Sequence, residues 1–399
     1  MKKVVKVKLA MCGLIRNRNV LIQNRQDLSH VQRAIVKIGS SLLTDVDTGI
    51  HMSMVEHVAE QVFALQKAGV QVCVVSSGSV AIGRVHLGWL GETLSVHEKQ
   101  AAAAVGQSWL MASYGKAFAK YDIQVAQMLL TKDDLRHRRR YLNASNTSET
   151  LFSAGVVPIV NENDTVMVEE IKFGDNDNLG ALVSMLVNAD LFVMMTDVDG
   201  LYDANPNENQ GAKHCSLVHS LDHDVMAMAD DSDSEFGTGG MSSKLRAAEI
   251  ATRGGVVAAI VGGQQKDVLT DLFSGKDVGT LFLCGEGRHS RHQHWIADVL
   301  HVAGQLHVDV GASQAIVHKG ASLLPIGMTD VQGDFDKGEC VEVVVDSEVI
   351  ARGLCNYNSE DLRRVQGLSS QDMVKTLGYK DFTSVIHRDN LVLKVRGKP

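Results

Sequence analysis

Short apolar segments alternate with helical patterns along most of the chain. Residues 34–38 are apolar apart from Lys37, and a Gly-Ser-Ser sequence follows them. Residues 53–69 then carry apolar side chains at helical spacing and end in a glycine. Similar pairs recur as far as residue 281. This alternation predicts a mostly parallel sheet covered by helices on both faces, an α/β fold of three layers.

Polar clusters directly follow several of the predicted strands. They occupy residues 39–41, 76–78, 161–164 and 196–197. In a parallel sheet, ligands bind beyond the carboxyl ends of the strands, where these loops meet in space. The sequence therefore predicts one ligand site built from several loops that are distant along the chain.

A glycine-rich segment, Gly-Thr-Gly-Gly-Met-Ser-Ser-Lys at residues 237–244, precedes a predicted helix. Glycines let the backbone turn tightly and approach a ligand, and a helix N-terminus favours an anion. Lys244 falls in the first helical turn, so the segment is interpreted as a phosphate site. The alternative is a flexible loop before an ordinary helix. The segment is not the common P-loop, because no Gly-Lys-Ser/Thr closes it. It is not the dinucleotide fingerprint either, because Ser242 stands where a third glycine is needed.

Lys37 lies near the carboxyl end of a strand that the pattern predicts to be buried. Burying an ammonium group is costly without an anionic partner, unless the side chain extends to the surface. Together with Lys244, it would suit a phosphoryl group approached from two sides. Phosphoryl transfer requires fixed cations around the transferring oxygens, so the pair indicates that reaction class.

The segment 174–178, Gly-Asp-Asn-Asp-Asn, contains more Asp and Asn residues than helix capping requires. Asp177 is a candidate for pairing with both lysines. Asp164 and Asn176 are candidates for binding a polar substrate that carries an ammonium group. No His or Cys accompanies a Ser or Asp in a nucleophile pattern, which favours direct transfer over a covalent intermediate.

Length and composition divide the chain into regions. With 399 residues and 45% apolar content, two domains are expected. Residues 1–31 are rich in Lys and Arg and are expected to be a disordered extension. Residues 32–284 carry the alternating pattern, residues 285–303 are interpreted as a linker, and residues 304–390 as a small β-rich domain. Histidines 289, 292 and 294 in the linker lack a strong accompanying metal-ligand set.

Charge and cysteine content bear on the partners of the chain and on its redox compartment. The formal net charge of −8 gives no general attraction to nucleic acid or membrane. No apolar run approaches the about 18 residues of a membrane helix. The six cysteines form no Cys-x-x-Cys pair, which is typical of reduced thiols in a cytoplasm.

The motifs together resemble the glutamate 5-kinase family, amino acid kinases with a C-terminal PUA domain. The likeness runs in order over about residues 34–390 and is carried by residues 36–41, 76–78, 106–108, 127–131, 161–164, 174–178, 201–202, 237–244, 320–325 and 385–389. It implies the amino acid kinase fold and ATP-dependent phosphorylation of the side-chain carboxylate of L-glutamate, with Mg²⁺. This is the first step of proline biosynthesis, and the resemblance also implies feedback inhibition by proline.

The resemblance implies roles for individual residues. The catalytic residues would be Lys37, Lys244 and Asp177. Glutamate would be bound by Ser77, Gly78, Asp164 and Asn176. ATP would be bound by Lys37, Thr196, Asp197, Thr238, Gly239, Gly240, Met241, Ser242, Ser243 and Lys244. No protein ligand for a metal is implied.

The resemblance further implies a homo-oligomer in the cytoplasm, with glutamate-5-semialdehyde dehydrogenase as a possible partner and RNA as a possible ligand of the PUA-like domain. Two alternatives stay open. Another acid kinase, such as acetylglutamate kinase or aspartokinase, would share the fold, although the PUA-like domain argues against both. An RNA-binding or RNA-modifying protein is a different class. The negative charge and the lack of a basic, aromatic-interleaved patch weigh against it.

Overall fold

The computed structural model describes most of the chain. The described residues are 22–45, 47–91, 93–166, 175–206, 209, 211–228, 240–284, 300–378 and 382–394. Thr238, Gly239 and the histidines at 289, 292 and 294 lie outside them.

The first domain comprises the described part of residues 22–284, and its strands alternate with helices as the hydrophobic pattern predicts. The strands are β1 (Arg33–Ile38), β2 (Gln71–Val75), β3 (Val125–Leu130), β4 (Val157–Glu162), β5 (Leu191–Thr196), β6 (Leu201–Tyr202), β7 (His214–Cys215), β8 (Leu217–Val218), β9 (Val257–Gly262) and β10 (Thr280–Phe282). The helices are α1 (Ser40–Leu43), α2 (Met52–Lys67), α3 (Ser79–Leu87), α4 (Val96–Ala119), α5 (Lys132–Arg136), α6 (Arg138–Ser153), α7 (Asp175–Leu186), α8 (His223–Ala227), α9 (Met241–Arg253) and α10 (Val268–Phe273).

Most of these strands form one twisted sheet. Within the described residues it has eight strands, in the order β3-β4-β2-β1-β5-β9-β10-β8. The central strand β1 pairs in parallel with β2 on one side and with β5 on the other. Only the pairing of β9 with β10 is antiparallel in this sheet as described. The predicted mostly parallel sheet is confirmed.

Alternate residues of β1 point to opposite faces of the sheet, as the pleat of a strand requires. Val36 and Ile38 belong to a core that also contains apolar side chains of α2, α4 and α10. Ile35 belongs to a second core, formed with α6, α7 and α9. Lys37 therefore projects from the same face as Ile35, toward α7 and α9. This placement brings a strand lysine to the helices that carry the predicted polar segments.

The second domain, residues 300–394 as described, is small and rich in strands, as predicted. Its strands are β11 (Val302–Val308), β12 (Met328–Gln332), β13 (Cys340–Val345), β14 (Glu348–Leu354) and β15 (Leu391–Leu393). Its helices are α11 (Val310–Lys319), α12 (Ser359–Val365) and α13 (Ser370–Leu377), with 3-10 turns at Pro325–Gly327 and Arg388–Asn390. The strands form one sheet in the order β12-β11-β13-β14-β15.

The amino-terminal segment differs from the expected disordered extension. Residues 22–31 pack on the first domain, with a 3-10 helix at Arg25–His30 and a fully buried Leu28. The buried Arg25 guanidinium donates hydrogen bonds to four backbone carbonyls, those of Ser216, Lys276, Val278 and Gly279. These acceptors replace the water that an exposed arginine would keep. The expectation of a disordered extension is therefore wrong for residues 22–31. Residues 1–21 lie outside the described residues.

The predicted linker at residues 285–303 stays a prediction. Residues 285–299 lie outside the described residues, and β11 begins at Val302, before the expected end of the linker at residue 303. The remaining domain limits stay predictions. No helix in the described part of the chain is long and apolar enough to cross a membrane.

Candidate active site

The carboxyl ends of four neighbouring strands, β4, β2, β1 and β5, lie side by side at one edge of the sheet. In the strand register, Lys37 is opposite Val75 of β2 and Met194 of β5. Val75 is in turn opposite Val160 of β4. The polar loops after these strands therefore start at the same level, as the sequence predicts for a ligand site.

Asp177 joins the two predicted lysines. It lies in the first turn of α7 and is fully buried. Its Oδ1 is 2.5 Å from Lys37 Nζ, and its Oδ2 is 3.8 Å from Lys244 Nζ. The Ser243 hydroxyl also donates to Oδ2, at 2.8 Å. Because both lysines are buried as well, this shared carboxylate offsets part of the cost of removing their charges from water.

The charge state of Lys244 is sensitive to this packing. Burial lowers the pKa of its ammonium group. Asp177 and Asp197 act in the opposite direction, and the nearby positive charge of Lys37 adds to the lowering. A negatively charged ligand at this point would favour the protonated lysine, which fits a site for phosphate.

A glycine lets α7 come close to β1. A Cβ atom at Gly180 would lie 2.7 Å from the Phe192 ring and 3.5 Å from Lys37 Cβ. Any side chain there would push the helix away from the strand, since real Cβ atoms do not approach so closely. Gly180 therefore sets the distance at which Lys37 meets Asp177.

A second carboxylate, Asp164, has different neighbours. It follows β4 and accepts a hydrogen bond from the Ser79 hydroxyl at 2.9 Å. Among the residues that the structure describes, no basic side chain forms an ion pair with it. Burial raises the pKa of the Asp164 carboxyl, and the hydrogen bond from Ser79 opposes that shift. A buried carboxylate of this kind is suited to receive a cation from a ligand.

Ser77 and Gly78 form the turn between β2 and α3. Gly78 caps α3 with a left-handed backbone, at a φ of 91°, and a Cβ there would lie 2.7 Å from Thr44 Cγ2. Both facts require glycine. The Ser77 hydroxyl accepts a hydrogen bond from Asn176 Nδ2 at 3.1 Å. The predicted residues Ser77, Gly78 and Asn176 are thus brought together, and Ser79 places Asp164 beside them.

The described residues of the predicted nucleotide site lie at the end of β5 and at the start of α9. Thr196 ends β5 and is buried, and its hydroxyl donates to Asp197 Oδ1 at 2.8 Å. Gly240 is the N-cap of α9 and has no side chain to cap it, so the first N–H groups of this 13-residue helix are not used by a capping side chain. Met241, Ser242 and Ser243 follow in its first turn and are partly exposed.

Two buried amides at this site received no role in the sequence analysis. Asn161 at the end of β4 donates to Gln107 Oε1 of α4 at 2.8 Å. Asn161 also accepts from Asn176 Nδ2 at 3.2 Å. Asn161 lies in the polar cluster after β4, but the only local signal for Gln107 is an amide on a helix face that also carries buried Ala103 and Leu110.

Comparison with known proteins follows the same division of the chain. Residues 32–263 match the family model described as the amino acid kinase family, and residues 304–377 match the one described as the PUA domain. The first match covers more than half of the chain. It therefore defines the class of protein to which this fold and site belong.

Similarity to individual proteins places the chain in a smaller group within this family. The glutamate 5-kinase of Geobacter sulfurreducens is 47% identical over 367 residues, 92% of this chain and 98% of that protein. The glutamate 5-kinase of Desulfotalea psychrophila is 47% identical over 371 residues, again 92% and 98% of the two chains. That of Syntrophus aciditrophicus is 43% identical over 378 residues, 94% and 98%. The chain is an enzyme of the amino acid kinase family and, within it, belongs to the glutamate 5-kinases.

Proposed function

We propose that this chain transfers the γ-phosphoryl group of ATP to the side-chain carboxylate of L-glutamate, forming L-glutamyl 5-phosphate and ADP. In the cell this would be the first step of proline biosynthesis. The observation that carries the proposal is the buried cluster of Lys37, Asp177 and Lys244 directly beside the polar groups of Ser77, Asn176 and Asp164. One half suits a phosphoryl group and the other an amino acid.

At the phosphoryl end, Lys37 and Lys244 approach from a strand and from a helix. Their ammonium groups stabilise the negative charge on the transferring oxygens, and Asp177 holds both in position. A carboxylate oxygen of glutamate forms the new bond to the γ-phosphorus, and the bond from that phosphorus to the β–γ bridging oxygen breaks. Glutamate is already ionised at neutral pH, with an ordinary pKa of about 4.3, so this step needs no general base.

At the amino-acid end, different residues bind the oppositely charged groups of the substrate. The Asp164 carboxylate receives the α-ammonium group. The Ser77 hydroxyl, beside the start of α3, faces a carboxylate. Substrates that lack either group would lose a charge-assisted contact, worth roughly 1.5–3 kcal/mol.

At the nucleotide end, Thr196, Asp197 and residues 238–244 bind ATP. Among the described residues no set of three or more His, Cys, Asp or Glu could hold a metal ion, and Asp177 is engaged by lysines. We infer that Mg²⁺ would be bound mainly through phosphate oxygens and water, with Asp197, whose charge acts on Lys244, as a candidate carboxylate. Bound Mg²⁺ would neutralise charge on the phosphates.

The same amino-acid end would accept proline as an inhibitor. Proline carries an α-carboxylate and a positively charged α-nitrogen, as glutamate does, but has no side-chain carboxylate to receive a phosphoryl group. Occupancy by proline would therefore block the site without reaction. This overlap is the basis for proposing feedback inhibition.

A hydroxamate assay tests the proposed reaction. The purified chain is incubated with ATP, Mg²⁺ and hydroxylamine, which traps an acyl phosphate as a coloured hydroxamate. Formation should depend on L-glutamate and should be far weaker with acetylglutamate or aspartate. Preference for either of those two substrates would instead assign the chain to another acid kinase activity.

Other expected properties stay predictions. They are the homo-oligomer, the partnership with glutamate-5-semialdehyde dehydrogenase, the cytoplasmic location and RNA binding by the PUA domain. The reaction proposed above does not depend on any of them.

A further inference from the structure

Four polar side chains from separate elements form one hydrogen-bonded row at the candidate site. Gln107 lies in α4, Asn161 at the end of β4, Asn176 in α7 and Ser77 after β2. Asn161 Nδ2 donates to Gln107 Oε1 at 2.8 Å, and Asn176 Nδ2 donates to Asn161 Oδ1 at 3.2 Å and to Ser77 Oγ at 3.1 Å. We call these four residues the amide row.

The orientation of an amide in such a row has to be decided by something outside it. An Asn or Gln amide can be turned end for end, which exchanges its donor and its acceptor. Here the backbone N–H of Glu162 lies 2.9 Å from Asn161 Oδ1. A backbone N–H can only donate, so this atom of Asn161 must be the oxygen. The direction of the whole row follows from that one contact.

Two consequences extend in opposite directions from Asn161. Its Nδ2 must donate, so Gln107 presents its oxygen. Its Oδ1 accepts, so Asn176 presents Nδ2, which also donates to Ser77. Ser77 Oγ is thereby an acceptor within the row, and its own O–H is left to donate. A ligand carboxylate that meets Ser77 can accept this proton, whereas an ammonium group would use the second lone pair of Oγ and leave the proton without an acceptor.

Two polar atoms of the row use none of their hydrogen-bonding capacity within the described residues. Gln107 Nε2 and Asn176 Oδ1 are buried, and neither has a hydrogen-bond partner among the described residues. Buried polar groups without partners destabilise a fold, and most buried polar groups in proteins are satisfied. Water or a bound ligand can supply such partners, so the two atoms are compatible with a row that borders a ligand site.

We propose that Gln107 is a positioning residue for amino-acid binding. By accepting from Asn161 Nδ2, it holds the other end of the amide whose oxygen is fixed by the Glu162 N–H, and so it helps to keep Asn176 donating to Ser77 and the Ser77 proton directed at a substrate carboxylate. With Asp164 receiving the ammonium group, the substrate has one favoured orientation. This inference rests on the proposed function and adds a residue that does not touch the substrate.

The test uses Gln107→Met in the full chain. Methionine has similar length but no comparable acceptor, so Asn161 Nδ2 loses its partner and the amide is held only at its oxygen. The KM for glutamate should rise about tenfold, which corresponds to the loss of roughly one hydrogen bond. The KM for ATP should be unchanged, and kcat should stay within about threefold. Gln107→Glu, which keeps an acceptor at the same place, should restore the KM to within about threefold of the wild-type value.

Gln61→Met is the matched control. Gln61 is a buried glutamine in α2, away from the site, and its Oε1 accepts from the Leu269 backbone N–H at 2.7 Å. Both methionine variants should lower the melting temperature, but only Gln107→Met should raise the KM for glutamate. If the two variants lower the melting temperature alike and neither changes that KM, the role of Gln107 is structural and the proposal is overturned.

Two further outcomes are decisive. If Gln107→Met does not fold, Gln107→Glu decides, and a tenfold rise in its KM for glutamate would overturn the proposal. If the wild-type enzyme makes no glutamate-dependent acyl phosphate, the proposed function fails and this inference fails with it. An active wild type with an unaffected Gln107→Met overturns the inference alone.

Discussion

The two buried carboxylates of the candidate site have opposite surroundings. Asp177 lies between two lysines, whereas Asp164 accepts a hydrogen bond from a serine hydroxyl and has no basic partner among the described residues. The first arrangement holds cations ready for an anionic phosphoryl group. The second leaves an anion ready for a cationic ammonium group. In the proposed function, the same residue type would therefore serve opposite ends of the substrates, with its neighbours determining which end.

Removing a cation at the Asp177 end should have the largest effect. Lys244→Ala should lower kcat about 10²–10³-fold, because the lysine acts mainly on charge in the transition state. The KM for glutamate should change little. Steady-state kinetics with both substrates measures this, and Lys276→Ala, at an exposed lysine paired with Asp271, is the control. Near-normal turnover of Lys244→Ala would remove this lysine from the mechanism.

Neutralising the other carboxylate should affect binding instead of turnover. Asp164→Asn should raise the KM for glutamate and the inhibition constant for proline together, each roughly 10–100-fold, because a charge-assisted contact is lost. The KM for ATP should barely change. If glutamate binding weakens while proline inhibits as before, the two ligands do not share Asp164 and the overlapping-site proposal is wrong.

Moving α7 should disturb the Asp177 end through geometry. Gly180→Ala places a Cβ against Phe192 and Lys37, so it should cost about 1–3 kcal/mol of unfolding free energy and lower kcat several-fold. Thermal unfolding and kinetics measure the two effects. Gly115→Ala in α4 is the control, because nothing lies within 4 Å of its Cβ position. That change should be neutral or stabilising by up to about 1 kcal/mol. A Gly180→Ala variant as stable and active as Gly115→Ala would contradict this account.

The pH dependence of kcat/KM for glutamate should separate the two ends. Burial raises the pKa of Asp164, so as pH falls its ionised form is lost at a higher pH than for an ordinary aspartate, about 3.9. Burial lowers the pKa of Lys244, so as pH rises its charged form is lost at a lower pH than for an ordinary lysine, about 10.4. The profile should be a bell narrowed from both sides. An unchanged acid limb in Asp164→Asn would assign that limb to another group.

Much of this site could be predicted because its parts break local rules. A lysine in an apolar strand needs an anion, and a run of Asp and Asn exceeds what a cap requires, so Lys37 and Asp177 stand out. Residues 76–78 and 161–164 were identifiable because parallel strands end at one edge of a sheet. The positions of these residues in the fold could be predicted from the hydrophobic periodicity. The pairing of Lys37 with Asp177 could be predicted from electrostatics.

Other features depend on contacts that no local pattern contains. Arg25 lies in a basic segment that looks solvated, and its carbonyl acceptors come from residues about 190–250 positions later in the chain. Gln107 is one amide within a long helix, and its partner belongs to a strand. Near the end of the second domain, residues 384–393 form a bridge at Ile386, a 3-10 turn and the short strand β15. There the backbone N–H of Arg388 donates to Ser322 Oγ, which is also distant in sequence.

Asn176 and Asp177 are adjacent in the first turn of α7, yet one belongs to the amide row and the other holds the two lysines. Under the proposed function, any mutation that shifts this turn would alter substrate recognition and catalytic charge at once. As related sequences evolve, substrate recognition and catalytic charge can therefore change independently only through substitutions outside the first turn of α7. The loop after β4 and the start of α3, which carry Asp164 and Ser79, offer that freedom. An engineer seeking a new acceptor acid would vary that side of the pocket and leave α7 untouched.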